Sequence, residues 1–134
     1  MASYTPTQEM AKNAEMALKV REEKPDSQKG MTPVGLARAR DLINKRPLSE
    51  ETVRRMKAYF DRHEVDKQGS TWDEKGKGWQ AWNGWGGDAG RTWANRIVNQ
   101  LNKEQNRRHY PHTYDDNNDD EDYRKYLYKK YIRR

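Results

Sequence analysis

The stretch SEETVRRMKAYFDRH, residues 49–63, carries the clearest helical pattern in this sequence. Ser49 is a good helix cap, and the two glutamates after it occupy the first turn, where the helix dipole favours negative charge. An apolar stripe then follows at the spacing i, i+3, i+7 and i+10, formed by Val53, Met56, Phe60 and His63. We therefore predict an amphipathic helix that places Met56, Phe60 and His63 in the core.

The segments on either side of this helix also read as helices. Residues 32–45 begin with Thr32 as a cap and Pro33 at the first helical position, which is a favoured place for proline. The predicted buried face of that helix is Leu36, Ala39 and Ile43. Only a few residues around Pro47 separate the two helices, so we expect a helical hairpin or corner.

Two further helices are predicted at the ends of this region. Residues 5–23 carry a weak apolar stripe, with Pro6 in the first turn, and residues 22–30 read as a linker. The last long helix begins near Asp88 as its cap. The first stripe consists of Met10, Ala14, Ala17 and Leu18, and the last helix carries Trp93, Ala94, Ile97, Val98 and Leu101.

A glycine-rich segment with four tryptophans, residues 66–90, lies between these helices. The spacing of three between Trp79, Trp82 and Trp85 predicts one helical or 3₁₀ turn packed against the core. A stacking platform for nucleic-acid bases is the alternative. Because tryptophan buries so much apolar area, we predict core positions for Trp79, Trp82, Trp85 and Trp93.

Composition limits the size of this core. Only 32% of the 134 residues are hydrophobic and 36% are charged, which is unfavourable for one core through the whole chain. We expect a mainly α fold, in which a small helical module with a Trp-rich irregular segment carries extended N- and C-terminal arms. The expected divisions are an N-terminal arm at 1–29, the core module at 30–108, and an acidic linker with a Tyr-rich basic helix at 109–134.

The C-terminal segment offers a candidate partner-binding face. DDNNDDED, residues 115–122, departs from the calcium-binding EF-hand loop because Asp120 and Tyr126 replace the required glycine and glutamate. Beyond it, aromatic and basic side chains recur at helical spacing, as suits an interface. The predicted partner-binding residues are Tyr123, Tyr126, Leu127, Tyr131, Arg133 and Arg134.

Three patterns bear on chemistry, and none predicts an enzyme. His63, Glu64 and Asp66 lie close together, but the helical zinc pair needs two histidines four residues apart. WGGDAGRTWA, residues 85–94, lacks the Lys-Ser/Thr of a phosphate loop, so a capping turn is the better reading. Without cysteine there is no thiolate site or disulfide. We therefore expect no catalytic residue, metal or other cofactor. No secretory signal or membrane-spanning run is evident.

The basic residues favour a charged partner. The net charge is +6, and residues 30–110 hold the whole excess, with sixteen basic against ten acidic side chains. Such a surface is either a solvated face or a contact with nucleic acid or an acidic protein. The candidate phosphate-binding residues are Arg38, Arg40, Arg54, Arg55 and Arg62.

The region from Gly30 to Ala94 resembles a short module of tailed bacteriophages, found alone or fused to head-morphogenesis proteins of the prohead-protease type. The resemblance lies in the motifs ARAR, SEETVRRM, RHEVDKQ and WGGDAGRTWA. It implies a non-enzymatic virion protein made in the host cytoplasm, a cement, decoration or minor head protein that binds the major capsid protein through its arms, in many copies. A basic nucleic-acid-binding accessory protein is the alternative.

Overall fold

The structure is a computed structural model that describes residues 2–109, with side chains to residue 106, and this part of the chain is mainly helical, as predicted. Two short strands form one antiparallel pair, with Ser3 opposite Ser49 and Tyr4 opposite Leu48. The elements in chain order are β1 (Ser3–Tyr4), α1 (Gln8–Glu23), α2 (Pro33–Ile43), β2 (Leu48–Ser49), α3 (Glu50–His63), α4 (Lys77–Gly84) and α5 (Gly87–His109).

Side-chain caps start three of the helices. Thr7, Thr32 and Ser49 each accept a hydrogen bond from the backbone N–H three residues later, at 3.1–3.2 Å. These bonds satisfy N–H groups that have no partner inside a helix. The predicted caps of α2 and α3 are therefore confirmed. Pro6 precedes the cap of α1 instead of lying in its first turn, and α5 begins one residue before Asp88.

The core of the compact unit that ends at Val98 combines side chains from all five helices. Phe60 and Met56 are fully buried, and the Phe60 ring meets the edge of Trp82 with 4.8 Å between ring centroids. Such T-shaped aromatic pairs add stability beyond the area they bury. The buried residues of this core include Met10, Ala14, Ala39, Leu42, Val53, Trp82, Trp85, Trp93, Ala94 and Val98.

Helix α1 is part of the core and not an arm. Met10, Ala14 and Ala17 are completely buried, and α1 packs along both α2 and α4. Asn13 Nδ2 also donates to the carbonyl of Gly86 at 2.8 Å. The small alanine side chains allow this close packing, so the predicted boundary at residue 29 does not separate residues 2–29 from the core.

The structure corrects four positions assigned to buried faces. The His63 side chain is 42% exposed at the rim of the core, and Trp79 is only half-buried, with Lys75 Nζ 5.3 Å from its ring centroid. In α2, Leu42 is fully buried, whereas Leu36 and Ile43 are half-buried. The buried face of α2 is rotated about the helix axis from the predicted face, because α1 and α4 both pack against α2.

The connection between α2 and α3, predicted as a helical hairpin or corner, is not a hairpin, because α2 packs mainly against α1. The chain passes through Lys45, whose φ of 50° is unusual for a side-chain-bearing residue, and then forms β2 against β1. Strands of two residues are too short to produce a detectable alternation in sequence. The strand pair was therefore missed, and α2 takes α1 as its main helical neighbour.

One buried amide joins the segment before α2 to α4. Gln80 is completely buried, and its Oε1 accepts a hydrogen bond from the Gly30 N–H at 2.8 Å. Its Nε2 donates to the carbonyls of Gln28 at 3.1 Å and Lys75 at 3.0 Å. Gly30 approaches α4 so closely that an added Cβ would lie 2.7 Å from the Lys77 carbonyl oxygen. This contact and the three hydrogen bonds hold residues 28–30 against α4.

Candidate binding cleft

A cleft of about 680 Å³ opens on one side of the compact unit, and we call it the basic cleft. Three segments form its walls: residues 29–34, the α3 face from Arg55 to His63, and the first half of α4 with Trp85. Asp66, just after α3, also lines the cleft. Because the segments are distant in sequence, the site exists only in the folded chain.

A stack of aromatic rings forms the inner surface of the basic cleft. The Tyr59 ring lies between Trp85, with centroids 4.7 Å apart, and His63, with centroids 4.5 Å apart. Tyr59 is only 7% exposed, and its hydroxyl has no hydrogen-bond partner within residues 2–106. Burial, and then the negative charge of Asp66, raise the pKa of Tyr59 far above its usual value. Tyr59 therefore stays neutral near pH 7 and supplies an uncharged, largely apolar surface.

The rim of the cleft is positively charged. Four cations line it, and Asp66 is the one carboxylate among the lining residues. Asp66 Oδ2 lies 3.0 Å from His63 Nδ1. Among the described side chains, Arg62 and Lys77 form no ion pair within 4 Å, whereas Arg55 contacts Glu51 at 2.6 Å. The four cations are Lys29, Arg55, Arg62 and Lys77.

The N-terminal turn of α4 adds to this positive potential. Lys77 and Gly78 from that turn line the cleft, and the cap residue Gly76 provides no side-chain hydrogen bond to it. Unsatisfied N–H groups at a helix N-terminus carry partial positive charge. The Asp66 carboxylate lies beside Gly78 of this turn and offsets part of that charge, so the four cations are the main source of positive potential for a further negatively charged group in the same cleft.

The sequence cluster His63, Glu64 and Asp66 separates in the fold. His63 and Asp66 line the cleft, but Glu64 Oε2 pairs with Arg91 Nη2 at 2.7 Å. The hydrogen bond from Arg91, followed by its charge, lowers the pKa of the Glu64 carboxyl. Within the described residues, no three His, Asp or Glu side chains are placed to hold a metal ion.

A second ion cluster surrounds Trp82 behind the cleft. Asp88 Oδ1 accepts hydrogen bonds from Lys67 Nζ at 2.7 Å and from the buried Trp82 Nε1 at 2.9 Å. The Lys67 bond is the main reason that the Asp88 pKa is lowered, and the Trp82 bond acts in the same direction, while partial burial opposes both. Asp88 therefore anchors the start of α5 to the central tryptophan.

Acid should weaken this anchor. Because the folded-state pKa of Asp88 is below its unfolded value of about 3.9, its contribution to stability is present above about pH 5 and is lost as pH falls through 4 and below. We expect Asp88→Asn to lower the free energy of unfolding by about 1 kcal/mol at pH 7 and less at pH 3.5, because this carboxylate is mostly exposed. Urea unfolding at both pH values measures the difference.

Asp73→Asn is the matched control for this prediction, since Asp73 is exposed and forms no ion pair within residues 2–106. Its stability should match that of the unsubstituted chain within about 0.5 kcal/mol at both pH values. An Asp88→Asn deficit that persists undiminished at pH 3.5 would contradict the role given to the carboxylate charge.

The five candidate phosphate-binding arginines lie in different surroundings in the structure. Arg55 and Arg62 face the basic cleft. Arg38 Nη1 instead contacts Asp41 at 2.8 Å, and its guanidinium lies 5.8 Å from the Trp85 ring centroid. Arg54 contacts Glu50 at 3.1 Å, and Arg40 is exposed on α2. The five arginines therefore do not form one phosphate-binding surface.

Several residues of the cleft were absent from the sequence prediction. Tyr59 could have been found, because it precedes Phe60 and lies one turn after Met56 on the buried side of α3. No sequence pattern predicts Lys29 and Lys77 as cleft residues, because they reach the cleft only through the contact between Gly30 and α4. The predicted partner-binding residues from Tyr123 to Arg134 lie outside the described residues.

No protein-family profile, curated protein or solved structure matches this chain. Within residues 2–109, no helix is long and apolar enough to cross a membrane.

Proposed function

We propose that this chain is a non-enzymatic structural protein of a bacteriophage virion that binds a neighbouring protein of the head. It would act as a cement, decoration or minor head protein, with the major capsid protein as its partner. The phage setting is supported by the motifs between Gly30 and Ala94. Many copies would enter each particle after synthesis in the host cytoplasm.

The basic cleft is the observation that carries the binding part of this proposal. It is concave, its inner surface is aromatic, and its side chains come largely from helices. Sites on rigid elements hold their geometry better than sites on loops. A preformed surface with aromatic and arginine side chains is also typical of protein interfaces. These features support recognition of a protein partner.

Nucleic-acid binding is the second candidate, and Arg55 and Arg62 support it because they lie two turns apart on α3. Acidic neighbours oppose it. Glu51 contacts Arg55 at 2.6 Å, and Asp66 lies in the cleft itself. A nucleic acid carries a phosphate at every nucleotide, so these carboxylates would repel part of its backbone. A peptide can place its few charges beside Arg62 and Lys77, away from Glu51 and Asp66, and for this reason we prefer a protein partner.

Quantitative mass spectrometry of purified, nuclease-treated particles of the encoding phage would test the proposal. We expect the chain at a fixed ratio to the major capsid protein, because a structural component binds repeated sites in the shell. Negative-stain images of the same fractions would establish that intact heads were measured. Absence of the chain from intact particles would contradict a virion role.

A salt titration separates the two candidates. Nucleic-acid binding would appear at 50 mM salt, weaken steeply with added salt, and lose part of that slope in Arg55→Ser/Arg62→Ser. Under our proposal, the full chain should not shift a duplex oligonucleotide at physiological salt. A steep salt dependence that requires Arg55 and Arg62 would favour the nucleic-acid function instead.

A further inference from the structure

We propose that the basic cleft binds an acidic peptide segment of the partner protein, with carboxylates beside Arg62 and Lys77 and an apolar side chain over Ala58. This inference rests on the proposed function, because it assigns the chemistry of the protein partner. The same cleft supplies both the cations and the apolar surface.

The charge of the cleft favours an acidic segment. Arg62 and Lys77 lie on two different walls, one on α3 and one on α4, and neither forms an ion pair within the described part of the chain. The carboxylate of Asp66 lies beside Gly78 in the N-terminal turn of α4 and offsets part of the positive charge of that helix end, so Arg62 and Lys77 are the main positive groups. Potentials of opposite sign across an interface speed association and select the partner. A segment with several carboxylates fits this arrangement.

The cleft also contains apolar surface inside its charged rim. Val34 lines the cleft with 60% of its surface exposed, and Ala58 and Ala81 leave room above the rings. Burying apolar surface stabilises a complex by about 25 cal/mol per Å² before the costs of association are counted. A purely charged ligand would leave this surface in water. The partner segment should therefore carry at least one apolar side chain among its acidic residues.

Contacts within the chain form this surface before any partner binds. Gln80 holds the backbone of Gly30 and Gln28 against α4, and the close contact between Gly30 and Lys77 fixes the same wall. Another wall is the helix α3, whose backbone geometry does not depend on a partner. A preorganised site loses little conformational entropy when it binds. The cleft therefore suits a short segment, which can provide only a limited number of contacts.

The ring stack favours a peptide over an oligonucleotide. Binding of single strands relies on bases that stack on accessible aromatic faces. Both faces of Tyr59 are already covered, by Trp85 and by His63. Trp85 itself is only 8% exposed. An apolar side chain of a peptide can instead contact the exposed surface of Val34, which lines the same cleft.

Fluorescence anisotropy with the full chain tests this inference. The first probe is a fluorescein-labelled ten-residue peptide of alternating Glu and Leu, and its control replaces every Glu with Gln. We expect Arg62→Glu/Lys77→Glu to weaken binding of the acidic peptide at least about tenfold, because close charge pairs have large coupling energies. The matched variant Lys12→Glu/Lys19→Glu changes exposed lysines of α1, outside the cleft, and should weaken it by less than about twofold.

A second pair of variants tests the shape of the cleft without changing its charge. Ala58→Phe places a large ring inside the cleft, whereas Ala37→Phe places the same ring at an exposed position of α2 outside it. Only Ala58→Phe should weaken peptide binding, by about tenfold or more, since it occupies the space of the apolar side chain. Circular dichroism would verify that both variants fold.

Any of four results would overturn the inference, and the fourth is normal peptide binding by the cleft variants. The first is equal weakening by the α1 and cleft charge variants, which would indicate attraction by net charge alone. The second is equal binding of the Gln control peptide. The third is tighter, Arg62-dependent binding of a labelled single-stranded oligonucleotide. If particles contain the chain but the cleft variants bind the peptide normally, only this inference fails. If the peptide binds as expected but particles lack the chain, only the virion proposal fails.

Discussion

Replacing Trp82 with alanine is expected to lower the free energy of unfolding by about 4–5 kcal/mol, the upper part of the range for large aromatic residues in cores. Trp82 is only 1% exposed and contacts the Phe60 ring at 4.8 Å and the Trp72 ring at 6.2 Å between centroids. Its Nε1 also donates to Asp88. The substitution therefore removes packing, leaves a cavity and breaks the anchor at the start of α5.

Urea unfolding followed by far-ultraviolet circular dichroism measures this loss. Trp79→Ala is the matched control, because Trp79 lies one turn earlier on α4 but is only half-buried and has no place in the core cluster. Its cost should be about 1 kcal/mol. If Trp82→Ala does not fold, Trp82→Phe should still do so with a loss of about 2 kcal/mol. Equal losses at positions 79 and 82 would contradict the central place of Trp82.

Gln80→Leu is expected to lower the free energy of unfolding by about 3 kcal/mol, although it replaces one buried side chain by another of similar size. The amide makes three hydrogen bonds, to the Gly30 N–H and to the carbonyls of Gln28 and Lys75. Leucine can make none of them. A buried polar group that loses its partner costs about 1–3 kcal/mol, so the missing bonds outweigh the added apolar contact.

The same substitution should also loosen one wall of the basic cleft. Gln100→Leu is the control, since it makes the same chemical change at an exposed position of α5 and should alter stability by less than about 0.5 kcal/mol. Urea unfolding compares the two variants, and amide hydrogen exchange at Gly30 reports the local effect. A loss below about 1 kcal/mol for Gln80→Leu would show that the three bonds contribute little.

Helix positions could largely be predicted because their signals are local. Thr32 and Ser49 cap the next three residues, and Val53, Met56 and Phe60 repeat at the period of one helix. These features depend on neighbours within about one turn. The burial of α1 could not be read in this way, because its stripe is mostly alanine. Alanine is compatible with an exposed helix as well as a closely packed one.

The candidate site was predictable only in part. Arg55 and Arg62 were chosen from the sequence for their charge, and both face the cleft. Arg38 was a candidate for the same reason, but its guanidinium already pairs with Asp41 and lies over the Trp85 ring. The sequence specifies that all three are arginines. Which carboxylate or ring lies beside each of them depends on the packing of separate helices.

Sequence alone predicts the helical class, the caps of α2 and α3, and the apolar side of α3, because these follow from interactions between residues close in the chain. Tertiary packing instead makes Trp82 central and Trp79 peripheral, although both lie in one short helix. It also brought Gly30, 50 residues before Gln80, against α4 to form the basic cleft. Such contacts arise from the simultaneous packing of several elements, which local sequence patterns do not record.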